Sequence, residues 1–284
     1  MKKLLLWVLA VTMAFAMIAC SSPTSGGDSG GGAPAEATDT SWEEIKEKGY
    51  FLVNRNDAYL PMTFRDENNE NVGFDVDLAN AVGEYLGIEA RVFLSDWDSK
   101  LIVLNGREAD VIWCGFTVTE ERRTQVLFTD YYIANTQIIV VPADSDIQTK
   151  DDLAGKTLGW QLGSSCEEAI KADPIYEKMA GERTYVNMTE PLMDMTNGRI
   201  DAVVIDSLYF GYWSTEEGVA DQYRILEDNF GDEYMAVGTR LEDKAWNEKL
   251  NEALMAVIHS EEGVAISEKW FGRNVFEDLP GYNA

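Results

Sequence analysis

The residues best suited to ligand chemistry lie between Asp110 and Tyr132, where a short apolar run is followed by a glycine, two threonines and an arginine. Arg122 comes three residues after Thr119, whose hydroxyl can cap a helix that begins with Glu120 and Glu121. A guanidinium at this place can reach back over the end of the preceding strand and bind both oxygens of a carboxylate. We therefore expect Arg122 to anchor an anionic group of a small ligand.

The apolar run before this arginine predicts a buried strand. Val111, Ile112 and Trp113 are β-branched or aromatic, as in an inner parallel strand that is covered on both faces. Gly115 then allows a ligand to approach the backbone, and Thr117 offers a hydroxyl and an N–H. Taken alone, this fragment also fits a capped helix whose arginine lies on the surface. The surrounding sequence is needed to distinguish a ligand-binding arginine from a surface arginine.

Composition limits the classes of function. The chain has 284 residues, 45% of them hydrophobic, which is enough for one large core or two medium ones, and we expect two lobes. With 23 Lys+Arg against 50 Asp+Glu, it has no basic face for nucleic acid. Its single histidine, His259, excludes a metal site built from several histidines. We expect neither a metal nor a cofactor.

The N-terminus has the features of an export signal. Residues 1–19 combine two lysines with an apolar run that is too short to be a stable membrane span, and Cys20 follows a small residue. Cys20 is therefore expected to carry a lipid and to become the mature N-terminus, although an ordinary signal peptide is left open. Residues 20–41 are rich in Ser, Gly, Pro and Ala and predict a flexible linker.

The elements that must position the site are alternating strands and helices. Strands are predicted at 50–53, 90–94 and 111–113, and a second series at 157–160 and 201–205, with crossover strands at 137–141 and 234–239. In open α/β sheets, ligands bind at the carboxyl ends of the strands. The side chains delivered there are Asn56, Asp57, Tyr59, Trp97, Gln161, Ser164, Ser165 and Asp206.

The stretch G-x-T-x-T-x-E-R, followed by F-[ST]-x-x-Y-Y, resembles the pattern of the polar amino-acid binding proteins of bacterial ABC importers. It is formed here by Gly115, Thr117, Thr119, Glu121, Arg122, Phe128, Thr129, Tyr131 and Tyr132. The resemblance implies the α/β, two-lobe periplasmic-binding-protein type II fold, with two crossing hinge strands that let the lobes close. It implies a first lobe over 42–136, a second over 137–233, and a return of the chain to the first over 234–284.

The resemblance also implies roles for the candidate residues. Arg122 and Thr117 would bind the ligand's α-carboxylate, with the backbone of Ser164 and Ser165 closing on it from the second lobe. Asp206 would take the α-ammonium together with Gly115 and Thr117. The expected surroundings of the ligand side chain are Tyr59, Trp97, Trp113, Asn56 and Gln161.

Specificity is the least determined property. Relatives of this kind hold an aspartate where Asn56 stands, and the neighbouring Asp57 could supply the charge instead. A buried cation needs a carboxylate partner, so Asn56 and Gln161 favour a neutral polar amino acid or cystine over lysine or arginine, unless Asp57 faces the ligand. Cys114 and Cys166 flank the ligand in the resemblance, which leaves a cross-cleft disulfide and two unpaired thiols as alternatives.

The expected function is that of a monomeric, non-catalytic receptor, held by its lipid at the outer face of the cytoplasmic membrane. It would deliver an amino acid to a membrane permease and a cytoplasmic ATPase, both separate polypeptides. One alternative is an enzyme similar to cyclohexadienyl dehydratases, with Glu167 at the place of their catalytic glutamate. The other is a ligand-sensing module of a receptor.

Overall fold

The computed structural model describes residues 38–56 and 59–283, of which 39–283 belong to one compact unit. The predicted signal sequence, Cys20, most of the predicted linker and Asp57 lie outside these residues. The described part of the chain contains short 3-10 turns in addition to the following strands and helices. The strands are β1 Tyr50–Arg55, β2 Phe64–Arg65, β3 Asn71–Val72, β4 Glu89–Leu94, β5 Val111–Ile112, β6 Leu127–Phe128, β7 Ile133–Pro142, β8 Thr157–Gln161, β9 Gly181–Tyr185, β10 Ala202–Asp206, β11 Tyr223–Met235 and β12 Gly238–Thr239. The helices are α1 Ser41–Lys48, α2 Phe74–Leu86, α3 Lys100–Asn105, α4 Glu120–Arg123, α5 Ser165–Ala172, α6 Thr189–Thr196, α7 Ser207–Glu216, α8 Lys244–Ile258 and α9 Glu261–Phe271.

The first sheet has the strand order β4-β1-β5-β12-β6. Strands β4, β1 and β5 run parallel, and β12 pairs antiparallel with both β5 and β6. Both residues of β5, Val111 and Ile112, are fully buried, as an inner strand requires. The carboxyl ends of β1 and β5 therefore lie side by side, and they carry Asn56 and Gly115 toward the same edge of the sheet.

The second sheet has the order β11-β7-β10-β8-β9. Strands β10, β8 and β9 are parallel, whereas β7 pairs antiparallel with β10 and β11. The long strands β7 and β11 join the two sheets. At the last residue of β11, Met235 forms a bridge with Thr117, and the following Ala236 donates its N–H to Phe116 O. These two strands form the connection between the lobes.

Most predicted elements are present, but one detail was wrong. The second crossover strand was predicted over 234–239, whereas β11 begins at Tyr223 and ends at Met235, and Gly238–Thr239 form a separate strand of the first sheet. At the start of the body, Ser41 is the first residue of α1, and its hydroxyl accepts a hydrogen bond from Trp246 N–H at the start of α8.

Candidate ligand-binding cleft

A cavity lies between the strand ends of the two sheets. Its walls come from both lobes, and they include ten of the twelve residues that the sequence and the resemblance single out. The lining residues are Asn56, Tyr59, Trp97, Cys114, Gly115, Thr117, Arg122, Gln161, Ser164, Ser165, Met188 and Asp206. Of the other two candidates, Trp113 is not among the lining residues, and Asp57 lies outside the described residues.

Arg122 is the buried cation of this cavity. Helix α4 starts where the sequence predicts, because the Thr119 hydroxyl accepts a hydrogen bond from Arg122 N–H at 3.2 Å. The guanidinium is 4% exposed and donates to Thr117 O at 2.9 Å and, across the cleft, to Gly163 O at 3.2 Å. Burial lowers its pKa, while the nearby carboxylates of Glu168, Glu233 and Asp206 act in the opposite direction. A guanidinium remains charged in such a place, so the site has a permanent positive charge.

The backbone conformation at position 115 and the closely packed Tyr59 ring require a glycine there. Its φ of +54° is unfavourable for other residues, and a Cβ would lie 2.0 Å from Cε1 of Tyr59. Its N–H donates to the buried Asp75 carboxylate at 2.9 Å, and Tyr132 donates its hydroxyl to the same oxygen. Burial raises the pKa of Asp75 to about 7. Because Asp75 holds the N–H, the carbonyl oxygen is the group of Gly115 that suits a ligand's ammonium.

Among the described residues, Asp206, at the end of β10, is the carboxylate that lines the cavity. It is 6% exposed and accepts a hydrogen bond from Gln137 Nε2. Burial raises its pKa to about 7, and the nearby Glu233 adds to this shift, while hydrogen bonds from Tyr59, Gln137 and Asn135 oppose it. A cation that enters the cavity would stabilise the ionised form.

Glu233 is a carboxylate that sequence reasoning missed. Its Oε1 accepts hydrogen bonds from Thr117 Oγ1 at 3.0 Å, Asn135 Nδ2 at 2.7 Å and Gln137 Nε2 at 2.9 Å. It lies on β11, beside β7, so it ties a predicted ligand residue to both hinge strands. The sequence signal was present in the acidic run before Tyr234, but the crossover strand was predicted to start one residue too late to include it.

The two lobes touch each other across the cleft. Ser165 donates its hydroxyl to Thr117 Oγ1 at 3.2 Å, and Lys100 Nζ lies 3.1 Å from both Gly163 O and Trp97 O. Burial lowers the pKa of Lys100 to about 7, and the Arg122 charge contributes further. Sequence reasoning missed this lysine as well, because a lysine at the start of a short helix usually lies on the surface. These contacts describe a closed arrangement.

The loop that begins α5 meets the first lobe as predicted, with one difference in its hydrogen bonds. Ser164 precedes the first residue of the helix, and Ser165 is that residue. The Ser164 N–H donates to Gln161 O at 3.3 Å, and its hydroxyl donates to the same oxygen at 2.6 Å. The Ser164 N–H is therefore engaged within its own loop, and Ser165 supplies the amide and the hydroxyl at the helix start.

Trp113 is a correction to the expected set of side-chain contacts. It is fully buried beneath the cavity, with its ring centroid 6.1 Å from that of Tyr132. Successive side chains of an extended segment point to opposite faces. Since Cys114 lines the cavity, its neighbour Trp113 faces the core. Tyr59 and Trp97 both line the cavity.

Cys114 and Cys166 are both unpaired and buried. Cys114 Sγ accepts a hydrogen bond from Asn56 N–H and contacts the Thr63 hydroxyl, whereas Cys166 Sγ contacts the Ser164 hydroxyl. Burial raises the pKa of both thiols, that of Cys114 to about 12. Each thiol is therefore kept protonated inside its own lobe, and the cross-cleft disulfide is not formed.

Glu167, the residue that an enzyme of this fold would use, is occupied elsewhere. Its carboxylate accepts from Gly163 N–H at 2.9 Å and from Lys171 Nζ at 2.5 Å, and it does not line the cavity. In residues 38–56 and 59–283, no group of three or more His, Cys, Asp or Glu side chains could hold a metal ion. The same residues include no helix long and apolar enough to cross a membrane.

Two α/β lobes are joined by two long strands around a cleft, and the described lining of this cleft contains one buried cation and one buried carboxylate. This arrangement defines a type II periplasmic binding protein. A solved substrate-binding protein of an ABC uptake transporter from Streptococcus pneumoniae, with bound histidine, has this fold. It superposes with a TM-score of 0.80 at 35% identity, over 84% of this chain and 98% of its own. The structure titled Tv2483 bound to L-arginine gives a TM-score of 0.78 at 27% identity, over 84% of this chain and 96% of its own.

The chain belongs to the bacterial extracellular solute-binding proteins, family 3, which match residues 52–273. It is 31% identical to the arginine-binding extracellular protein ArtP of Bacillus subtilis (strain 168), over 95% of this chain and 98% of that protein. It is 29% identical to the L-cystine-binding protein TcyJ of Escherichia coli (strain K12), over 82% and 86% of the two chains. These relatives are named as binding proteins, so the role of the family member described here is solute binding and not catalysis.

Proposed function

We propose that this protein binds a free α-amino acid in the cleft between its lobes. The observation that carries the proposal is the charge of the cavity lining, which among the described residues contains one cation, Arg122, and one carboxylate, Asp206. An α-amino acid presents one carboxylate and one ammonium. Burying each charge is unfavourable unless it meets its counterpart, so this lining matches a zwitterion and penalises ligands that lack either group.

The neighbouring groups support the same orientation of the ligand. Arg122 would turn from Gly163 O toward the ligand's carboxylate. Thr117 would assist it, together with the amide of Ser165 at the start of α5, where a helix N-terminus favours an anion. Asp206 would take the ammonium, together with the Gly115 carbonyl and Thr117. The ligand then bridges the lobes and stabilises the closed arrangement over an open one.

The remaining lining favours a neutral polar side chain, or cystine, over lysine or arginine. Asn56 and Gln161 are buried amides that line the cavity from opposite lobes, and Tyr59 and Trp97 add aromatic surface. Stacking on aromatic rings contributes roughly 0.5 to 2 kcal/mol, which is less than the cost of burying a cation without a counter-charge. Relatives are named as binding proteins for arginine, cystine, histidine or glutamine, so both neutral and cationic side chains occur among their ligands.

A thermal-shift screen tests the proposed function. A ligand at about 100 times its dissociation constant adds roughly 2.7 kcal/mol to the folded state, which for a chain of this size raises the melting temperature by about 5 to 10 °C. We expect glutamine or cystine to produce such a shift at concentrations where arginine and lysine do not. The matched controls are N-acetylglutamine and glutamine α-amide, each of which lacks one of the two charges. Equal shifts by these derivatives would contradict the zwitterion assignment.

The place of the receptor in transport forms the second part of the proposal. Its family is extracellular and solute-binding, and the relative from Streptococcus pneumoniae belongs to an ABC uptake transporter. We infer that the protein delivers its amino acid to a membrane permease driven by a cytoplasmic ATPase, and that a lipid on Cys20 keeps it at the outer face of the cytoplasmic membrane. A lipid leash raises the local concentration of the receptor near its permease.

Cys20→Ser is expected to release the protein from membranes, because the lipid is attached through this one thiol. The measurement is the distribution of the protein between membrane pellet and soluble fraction, with Cys166→Ser as a control that leaves Cys20 intact. Retention of Cys20→Ser in the pellet at the level of the unmutated protein would contradict the lipid anchor and leave the binding function untouched.

A further inference from the structure

A second cavity adjoins the candidate cleft on the side of Arg122, and the two share Arg122 and Ser164 in their walls. The second cavity is also lined by Lys100 of the first lobe and by Gly163 of the second. Lys100 is 5% exposed, so it is almost as deeply buried as Arg122, although it does not line the cleft itself. Two buried cations of the first lobe therefore lie at the end of the cleft where the ligand's carboxylate is expected.

Both cations donate to one carbonyl oxygen of the second lobe. Arg122 Nη2 lies 3.2 Å from Gly163 O, and Lys100 Nζ lies 3.1 Å from the same atom. Two nitrogen atoms this close to one oxygen are within roughly 6 Å of each other, a distance at which each positive charge disfavours the other. The Gly163 N–H is engaged within its own lobe by Glu167 at 2.9 Å, so the carbonyl is the group that this loop offers to the first lobe.

Lys100 is a buried cation without a carboxylate partner in the described part of the chain. Its Nζ contacts the carbonyl oxygens of Gly163 and Trp97 at 3.1 Å and lies 4.7 Å from the centroid of the Trp97 ring, but it forms no ion pair with a described residue. Burial lowers its pKa to about 7, the Arg122 charge lowers it further, and the nearby carboxylates oppose this shift without offsetting it. These carboxylates are Asp98, Glu167 and Glu168. An anion beside Arg122 would supply the negative charge that the surroundings of Lys100 lack.

We propose that Lys100 is a second determinant of the ligand's α-carboxylate: it keeps Gly163 O when Arg122 turns to the ligand, and its charge makes closure of the cleft depend on an anion beside Arg122. The inference rests on the proposed function, since it assumes a carboxylate bound by Arg122. Lys100 stays outside the cleft lining and acts as a positioning residue, while the ligand's side chain remains among the aromatic rings and amides of the cleft. When the ligand has no carboxylate, two cations face one carbonyl oxygen and closure is disfavoured.

Glutamine and glutamine α-amide are the probes, because they differ at the group that meets Arg122. Calorimetry at neutral pH is expected to show that the unmutated protein prefers the acid at least about 30-fold. Lys100→Met removes the charge and keeps most of the side-chain length, and it is expected to lower the ratio of the two affinities at least about fivefold. Lys46→Met, at an exposed lysine of α1, is the control and should leave the ratio within about twofold. If the thermal-shift screen ranks another amino acid first, that amino acid and its α-amide replace the glutamine pair.

A third variant separates the charge of Lys100 from its contact with Gly163. Lys100→Gln keeps an N–H donor and carries no charge, so the ratio should fall in this variant as in Lys100→Met. A purely structural contact would instead weaken both ligands alike and leave the ratio unchanged. Thermal unfolding of the ligand-free proteins shows which variants fold, and Lys100→Gln carries the test if Lys100→Met does not.

Two kinds of result would count against these assignments, and they are distinguishable. A ratio within about twofold of that of the unmutated protein, in a folded variant of Lys100, overturns the role of this lysine and leaves the proposed function intact. An α-amide that stays undetectable while glutamine binds with unchanged affinity has the same meaning. Equal binding of acid and amide by the unmutated protein, or failure of every amino acid to bind, would overturn the proposed function as well.

Discussion

Replacing Arg122 with alanine is expected to weaken amino-acid binding by about 30-fold to several thousand-fold. The guanidinium is buried, and of the lining residues that the structure describes it alone would bring a formal positive charge to the ligand's carboxylate. Removing one partner of a buried charge pair costs roughly 2 to 5 kcal/mol, mainly because the other charge is left buried without compensation. A ligand with micromolar affinity would then escape detection by calorimetry.

The neighbouring Arg123 provides the matched control. It belongs to the same short helix but is about half exposed, and it contacts the Tyr131 hydroxyl and Glu120 at the surface. Arg123→Ala should therefore bind the ligand within roughly threefold of the unmutated protein. Thermal unfolding of the ligand-free variants separates lost binding from lost folding. An Arg122→Ala variant that folds and retains its affinity would refute the carboxylate assignment.

The fold could be predicted from the sequence because its signals are local. Helix α2 keeps helical spacing of apolar residues and ends at Gly87, whose φ is +72°. Helix α4 begins at Thr119, whose hydroxyl forms the predicted cap. Buried apolar runs such as Val111–Ile112 are separated by polar loops that lie at the strand ends, where the cavity forms. Fold and most lining residues follow from such patterns, together with the resemblance.

The missed residues depend on contacts between distant parts of the chain. Asn135 and Gln137, about a hundred residues away in the sequence, hold Glu233 at the site by hydrogen bonds. They reach it only because β7 and β11 pair. Lys100 is buried only because Gly163 of the other lobe lies against it. Trp113 was assigned to the cavity by its neighbours in sequence, whereas the alternation of an extended segment turns it into the core. Sequence patterns do not contain this information.

The pH dependence of binding follows from the surroundings of Asp206. In the closed, empty cleft, burial and the nearby Glu233 raise its pKa to about 7, so the carboxyl group takes up a proton as the pH falls below that value. The ligand's ammonium would stabilise the ionised carboxylate and lower this pKa. The complex therefore holds fewer protons than the empty cleft. By linkage, affinity should be highest above pH 7 and should fall by up to about tenfold for each pH unit below it, until the pKa of the complex is reached.

Calorimetry between pH 5 and pH 8 tests this expectation, with affinity at pH 5 up to about 100-fold weaker than at pH 7. Two other groups with a pKa near 7 have to be separated from Asp206: Asp75, which faces the Gly115 backbone, and Lys100, which faces Gly163 O. Closing the cleft lowers the pKa of Lys100, and this too would favour binding at higher pH, but mainly between pH 7 and the ordinary lysine pKa of 10.5.

Asp206→Asn should bind weakly with little change between pH 5 and 7, whereas the exposed control Asp221→Asn should keep the full dependence. A pH dependence that persists in Asp206→Asn would assign the linked proton to Asp75 or Lys100 and remove Asp206 as the receptor of the ammonium.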